Sequence, residues 1–480
     1  MLTREQILEV YAAGPEAVVA LVESLLRRLE ALDALQRRVA ELEARLAKDS
    51  HNSHQPPSSD GLARPVRTQS LREPSGRRPG AQRGHGGTTL RQSESPQEIR
   101  LHAPSACAHC GAALEGARVV RLERRQVFDL PGLALHVREH QGQSLRCLCC
   151  GGITRASFPA GVEKPVQYGP GLLGLGVYLQ SYQLVPVART RELLSVLFGH
   201  APAAGTLKRA LDVAYRSLEG VEEQIRAALQ RASVVHMDET GVRVAGQTQW
   251  MHVASTSGRT LLRVHRSRGC PAVNALGVVA SMQGVRVHDA LPSYVSYGGR
   301  FALCNVHLLR ELVSAAETTQ QPWTLQMLAL LRQMKAQTDR ARAEGLASVP
   351  LEVRASLEQR YEVLLGEAER AHTEPPQRKG VRGGRLKRTP VQNLLRRMQR
   401  HRAAVLRFLH DLEVPFDNNQ AERDLRMLKV QQKISGGFRS EEGAARFARI
   451  RGYLSTLRKQ NLPILGALRD TLQGHRPPPA

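Results

Sequence analysis

From Val18 to Leu46 apolar residues recur with a heptad period. Val18, Leu25, Leu32, Val39 and Leu46 hold one position of the repeat, and Leu21, Leu35 and Leu42 hold the other. Leu26 and Leu29 widen the stripe, Arg28 interrupts it, and Glu and Arg flank it. This spacing predicts one long helix with an apolar seam of the kind that pairs in a coiled coil. A homo-oligomer, dimer or higher, is therefore expected; a helix packed against its own chain is the alternative. The pattern stops at "KDSHNSHQPPSSDG", and residues 49–100 are rich in Pro, Gly, Ser, Arg and His with little to bury, which predicts a linker. Within it, "GRRPGAQRGHGG" sets Arg77 and Arg78 beside a Pro-Gly turn. Such a segment can lie along phosphates, or simply be a solvated spacer.

Further on the pattern alternates between periods. "RVVRLERRQVFDLPGLALHVREHQGQSLRC" alternates in the manner of strands, whereas residues 161–230 have the helical period. "RTRELLSVLFGHAPAAGTLKRALDVAYRSLEG" reads as helix, short turn at His200 to Ala204, and a second helix carrying Lys208 and Arg209, the outline of a helix-turn-helix. From Ala232 strands return. "ASVVHMDETGVRV" is an apolar run ending at Asp238; "TQWMHVAST" and "TLLRVHRSRG" follow as short strands; "GVRVHDALPSY" ends in Asp289; "RFALCNVHLLREL" is a strand leading into a helix. Three antiparallel strands followed by strand, helix and strand is the order of a ribonuclease-H-like α/β core. In that order the first and fourth strands are neighbours, which would set Asp238 beside Asp289.

Two segments after the second acid, "WTLQMLALLRQMKAQTDRARAEGL" and "PLEVRASLEQRYEVLLGEAERAH", are amphipathic, predicting a helical insertion in that core. "QRKGVRGGRLKRTP" (377–390) is a basic loop inside it. In "DNNQAERDLRMLKVQQKISGGFRS", Ala421, Leu425 and Leu428 make an apolar stripe, while Glu422, Arg426, Lys429 and Lys433 share the neighbouring face. Asp417 is the expected N-cap and Gly436-Gly437 the stop. The expected division is a 1–48 helix, a 49–100 linker, a 101–160 zinc-binding domain, a 161–230 DNA-binding region, a core from 231–310 interrupted at 311–410, a 411–460 segment bearing Glu422, and a 461–480 tail.

Charge and cysteines narrow the chemistry. Lys+Arg of 68 against Asp+Glu of 44 leaves a net +24, which points to an acidic polymer and above all nucleic acid. No run of 18 apolar residues is present, so no membrane partner is expected, and the opening "MLTREQILEV" reads as cytoplasmic. Aromatics make up 4% of the chain, so base stacking would carry little of the affinity. Cys107-Ala-His-Cys110 and Cys147-Leu-Cys-Cys150 have the knuckle spacing in which two thiolate pairs hold one structural Zn²⁺, as in a zinc ribbon. A redox CxxC is the alternative reading, and Cys149 is a competing thiol.

Two carboxylates side by side are unfavourable unless cations hold them together. Two Mg²⁺, with Mn²⁺ as a substitute, set roughly 4 Å apart by acidic oxygens suit in-line attack on a phosphodiester. Asp238 and Asp289 would supply two of these acids and Glu422 the third, with Arg426, Lys429, Lys433 and Arg439 toward DNA. His307 and Arg310, after the strand that follows Asp289, could touch DNA or the scissile phosphate, or be structural.

With these residues in hand, "DNNQAERDLRMLKVQQKISGGFRS" and the following "GAARFARIRGYLSTLRKQ" resemble the C-terminal signature of the insertion sequence 66 transposases. "HMDETGVRV" and "VRVHDALPSYVSY" with "ALCNVHLLREL" are similar to that family's two acidic blocks, and "NSHQPPSSD", "GRRPGAQRGHGG" and the paired CxxC to its N-terminal segment. "NSHQPPSSD" differs in having His and Gln where the family more often has Ser and Lys. The resemblance implies a DDE transposase with Asp238, Asp289 and Glu422 as its triad. It would bind terminal inverted repeats of its element and target DNA, with small accessory proteins as partners. Two other functions fit the residues alone: a ribonuclease-H-like endonuclease or resolvase without strand transfer, and a zinc-dependent dimeric DNA-binding regulator.

Overall fold

The computed structural model describes residues 4–46, 90–130, 132–372 and 388–475. The chain forms two compact units, one of residues 66–141 with 194–200 and the other of residues 1–65, 142–193 and 201–480.

Among the described residues of 90–141, in the smaller unit, no helix or strand forms. Ala106 bridges Ala113, and between them the chain turns around Cys107, whose N–H donates to the Ala112 carbonyl (2.8 Å) and whose carbonyl accepts from Gly111 (2.9 Å). The Gln126 side chain clips Ser93, accepting its N–H at 2.7 Å and donating to its carbonyl at 2.8 Å. Alternation across residues 118–147 predicts strands, but among the described residues of that stretch only Ser144–Arg146 forms one. Val119, Val120, Leu122 and Val127 stay exposed, so alternation found no surface to bury against.

In the larger unit α1 (Arg4–Ala12) precedes the long α2 (Pro15–Leu46), on which the seam residues Leu25, Leu32, Leu35 and Val39 are exposed. The hairpin β1 (Ser144–Arg146) and β2 (Ile153–Arg155) closes on a second cysteine turn. It repeats the first bond for bond: Cys147 N–H donates to Gly152 (2.8 Å), and Gly151 donates to the Cys147 carbonyl (2.9 Å). Gly111 and Gly151 sit at the same point of each turn with φ of 76° and 71°, a conformation that favours glycine.

Helices α3 (Pro170–Ser181), α4 (Val187–Phe198), α5 (Ala204–Ser217) and α6 (Glu219–Gln230) lead into the sheet strands β3 (Val234–Val244), β4 (Gln247–Ser255) and β5 (Thr260–His265). After α7 (Cys270–Leu276) come β6 (Val285–His288), α8 (Pro292–Val295) and β7 (Phe301–Leu303). The sheet order is β5-β4-β3-β6-β7, with β4 antiparallel to both of its neighbours, β3 and β5, and β6 and β7 parallel to β3. Asp238 lies in the middle of β3, because the strand runs on to Val244 and does not end at the acid. The helices α9 (Asn305–Thr319), α10 (Pro322–Ala343), α11 (Leu351–Ala371), α12 (Pro390–Arg400), α13 (Arg402–Val405) and α14 (Arg407–His410) follow β7. The chain then returns to the sheet through α15 (Asn419–Ser435), α16 (Glu441–Lys459) and α17 (Ile464–Leu472).

Strand alternation sorts β3 between two apolar layers. Val235 and Met237 join a core with Leu218, Ile225, Leu454 and Leu468 from α5 through α17 and the turns beside them. Val242 and Val244 point the other way and pack with Ala421, Leu425 and Leu428, the predicted stripe of α15. Asp238 shares the parity of Val242 and Val244, so it belongs to the face that α15 covers. Beyond α15, Gly437 brings the chain so close to β3 that a Cβ there would sit 2.6 Å from the Arg243 carbonyl. Phe438 then donates to that carbonyl (2.8 Å) and accepts from Ala245 (2.8 Å).

Candidate active site

β3 and β6 are parallel neighbours, with His236 opposite Val287. Asp238 and Asp289 each lie two residues beyond that pair, so the register delivers both to one point. Ligand oxygens of Asp238, Glu239 and Asp289 all fall within 4.8 Å of one another. The Asp238 Oδ1 accepts the Glu239 N–H at 2.8 Å, and Asp289 Oδ1 accepts from Leu291 at 3.3 Å. Between these last two, Ala290 has a φ of 73° and donates its N–H to His288 Nδ1 at 3.1 Å. A left-handed alanine costs on the order of 1 kcal/mol or more, and here it turns the chain so that Asp289 faces β3.

The electrostatics are those of crowded acids. Burial holds the Asp238 carboxyl well above the usual carboxylate range, and the charges of Asp289 and Glu239 add to the effect. Burial and then the charge of Asp289 push Glu239 up to about 7, while Arg268 pulls it back. Arg268 reaches the buried Glu239 Oε1 through Nη2 (2.8 Å) and Nε (3.0 Å), and its guanidinium lies 4.7 Å from the Trp250 ring centre. Tyr294 is also held well above its ordinary range, by burial and then by Glu239.

Glu422 stands on the first turn of α15, at the N-terminal end of the helix, where a carboxylate is favoured. Its Oε1 is 3.7 Å from His307 Nε2, and donor atoms of Cys304, His307 and Glu422 form a second group within 4.8 Å. Glu422 is not among the oxygens gathered with Asp238 and Asp289, yet its charge bears on Asp238 and that of Asp289 bears on it. Burial raises the Glu422 carboxyl, with Arg310 and Arg426 acting against the rise. Burial pushes the Cys304 thiol up to about 12.

This donor set fits hard divalent ions. Three carboxylates are close enough to share a cation, and a cation would offset the burial and the repulsion that together raise Asp238. Buried Glu422 Oε1 has no hydrogen-bond partner among the described residues, so it too is an anionic oxygen with coordination to spare.

Of the acids expected from sequence, Asp238 and Asp289 come together directly and Glu422 comes within electrostatic reach. Glu239 and Cys304 were not foreseen. Glu239 is contiguous with Asp238, and simple alternation assigns it to the opposite face; Cys304 marks the junction of β7 and α9. Arg426, Lys433 and Arg439 are exposed, as are Lys208 and Arg209 on α5. Lys429 is half-buried, and its Nζ donates to the Gly241 carbonyl at 3.3 Å. Its charge acts on Asp238 as well. The expected N-cap also differs: Asn418 occupies that position, and Asp417 Oδ1 accepts the Asn419 N–H at 3.0 Å. Arg77, Arg78 and residues 377–387 of the basic loop lie outside the described residues. Among those described, no helix is long and apolar enough to cross a membrane.

Two stretches of the chain match known families. Residues 11–91 match a family of unknown function (DUF6444), and no curated protein matches the chain. The transposase IS66 family matches residues 165–446, more than half of the chain and every strand and acid of the candidate site. The chain therefore belongs to the IS66 family of transposases.

Proposed function

We propose that the chain is a DDE transposase of ribonuclease-H-like fold, which cuts the ends of its insertion sequence and joins them to target DNA. The observation that carries this is the convergence of Asp238 and Asp289 from parallel neighbouring strands, with Glu422 on the helix covering the same face. The order β5-β4-β3-β6-β7, with its two parallel strands at one side, supports the fold assignment.

Asp238, Asp289 and Glu422 would hold Mg²⁺, or Mn²⁺ in its place, with Glu239 beside them. Such ions supply an activated attacking oxygen and charge stabilisation for the leaving one. The protein's own part is to hold the acids converging and to orient the strand. Arg426, Lys433 and Arg439 are exposed cations suited to phosphates near Glu422; Lys208 and Arg209 are suited to the same task on α5. In the first step water displaces the 3′ oxygen of one strand and frees a hydroxyl. In the second that hydroxyl attacks a phosphodiester of the target, forming one P–O bond as another breaks. No covalent link to protein is required.

The two cysteine turns each present a thiolate pair of the kind zinc takes, and hydrogen bonds from the turn backbone lower the thiols of Cys107 and Cys147. On the sequence pattern we assign one Zn²⁺ to Cys107, Cys110, Cys147 and Cys150. The exposed seam of α2 supports self-association, and small accessory proteins remain candidate partners. The test is a joining reaction with purified protein, Mg²⁺ and DNA bearing the element's terminal inverted repeats. Covalent joining to target supports a transposase, cleavage without joining indicates a hydrolytic nuclease, and neither reaction indicates a binding protein.

A further inference from the structure

We infer that Asn418 is the positioning residue that sets Glu422 against Asp238, by tying the start of α15 to β3 and to the head of α9. The inference rests on the assignment of Glu422 and Asp238 to one catalytic site.

Asn418 is 1% exposed and occupies the N-cap position of α15. Asparagine is favoured there because its side chain caps the helix, but this one makes no cap hydrogen bond. Its amide is turned to other partners. Nδ2 donates to the Met237 carbonyl at 2.7 Å, Oδ1 lies 3.0 Å from His236 Nδ1, and the backbone N–H donates to Cys304 Sγ at 3.2 Å. An amide oxygen only accepts, so His236 must carry its proton on Nδ1. Burial lowers the basicity of His236, in keeping with a neutral ring.

Each partner adjoins a residue of the site. Met237 immediately precedes Asp238, and Cys304 opens the turn from which His307 reaches Glu422. Phe416, two residues earlier, accepts the Asn305 N–H at 3.0 Å, so the same strand-to-helix junction is held twice. At its other end α15 is fixed to β3 by Phe438, which bonds Arg243 and Ala245.

The stripe of Ala421, Leu425 and Leu428 holds α15 to the sheet, but apolar burial has no direction and tolerates sliding. A slip of one residue along the helix moves Glu422 by about 1.5 Å. Directional bonds at both ends remove that freedom, and the Asn418 amide supplies separate atoms to donate to the Met237 carbonyl and to accept from His236. Aspartate has the same shape but loses the donor and sets a carboxylate against a carbonyl.

The test uses the full-length protein with Asn418→Asp, Asn418→Ala, Glu422→Gln and the Asn418→Ala/Glu422→Gln double variant. Mn²⁺ binding is measured by calorimetry without DNA, and Mg²⁺-dependent cleavage and DNA affinity are measured separately. The Asn418 variants should lose about tenfold to a hundredfold in Mn²⁺ affinity or cleavage rate, the usual effect of removing a group that orients a ligand. DNA affinity should hold. Glu422→Gln should weaken Mn²⁺ binding in the parent and add little in the Asn418→Ala background, because the carboxylate is already displaced. Additive losses, or Asn418 variants with parental Mn²⁺ affinity and rate, overturn the inference. If the Asn418 variants do not fold, His236→Leu and His236→Gln replace them. The Leu variant should lose cleavage, and Gln, which keeps a donor, should restore part of it; equal rates in the two overturn the inference. A fully active Glu422→Gln protein instead refutes the placing of Glu422 in the site, whatever Asn418 does.

Discussion

Glu239 offers a test of the acid cluster that needs no DNA. Its side chain is 1% exposed, and its carboxyl is raised from 4.5 to about 7. In the metal-free protein the folded state therefore keeps this proton where the unfolded chain has lost it. Between those two values the native state binds more protons, so stability must fall as pH rises, and the loss is complete above about 7. A rise of this size amounts to about 3 kcal/mol at 1.36 kcal/mol per unit. Glu239→Gln removes the titration and still leaves Arg268 an acceptor. In urea unfolding with chelator present, variant and parent should be alike near about pH 4, and the variant more stable by about 3 kcal/mol near about pH 8. Adding Mg²⁺ should flatten the parent's pH dependence, since a cation favours the ionised acids. A difference between variant and parent that is the same at both pH values would show that Glu239 is not crowded by Asp289, and the cluster as described would be wrong.

Three further outcomes are expected. Asp238→Asn, Asp289→Asn and Glu422→Gln should each abolish strand cleavage in a gel assay and leave DNA binding intact, because each removes a metal-binding charge with little change of shape; retained cleavage takes that residue out of the triad. Elemental analysis should find about one zinc per chain, as a single four-thiolate site requires. Cys107→Ser should lose it and Cys149→Ser should keep it, whereas the reverse at Cys149 would reassign a ligand. Replacing Arg426 and Lys433 together by Gln should make the plot of log affinity against log salt shallower by about 0.9 for each duplex phosphate no longer neutralised. Unchanged slopes would mean that these side chains only solvate the helix.

Much of the fold was legible because period and polarity agree over long stretches. The helices α10 and α11 match the amphipathic segments of the sequence to within a few residues, and α15 runs from the NNQAER stretch to the Gly436-Gly437 stop. β3 was marked too short because Asp238 and Glu239 look like a strand end. Both acids are tolerated inside the strand because Arg268 neutralises one and Asp238 lies at the point where β6 gives way to the Asp289 turn. Of the stretch expected to form strands between the cysteine pairs only β1 does so, and the rest failed for the opposite reason. Alternation is a signal of burial, and residues such as Val120 and Val127 have no layer to cover them.

The site was legible only as a set of acids, because sequence spacing says which face a residue takes and not what its neighbours on other elements are. Lys429 shows the difference. By helical period it belongs with Arg426 and Lys433, and all three were expected on phosphates. The helix, however, lies along β3, so its faces are not equivalent: Arg426 and Lys433 look outward, while Lys429 looks across to Gly241. There its charge acts on Asp238 and its ammonium is pinned to the backbone of the strand that carries that acid. Lys429→Gln should therefore leave the salt slope of DNA binding near the parental value and lower cleavage instead. A slope shallower by about 0.9, with cleavage at saturating DNA unchanged, would return Lys429 to the phosphate-binding cations.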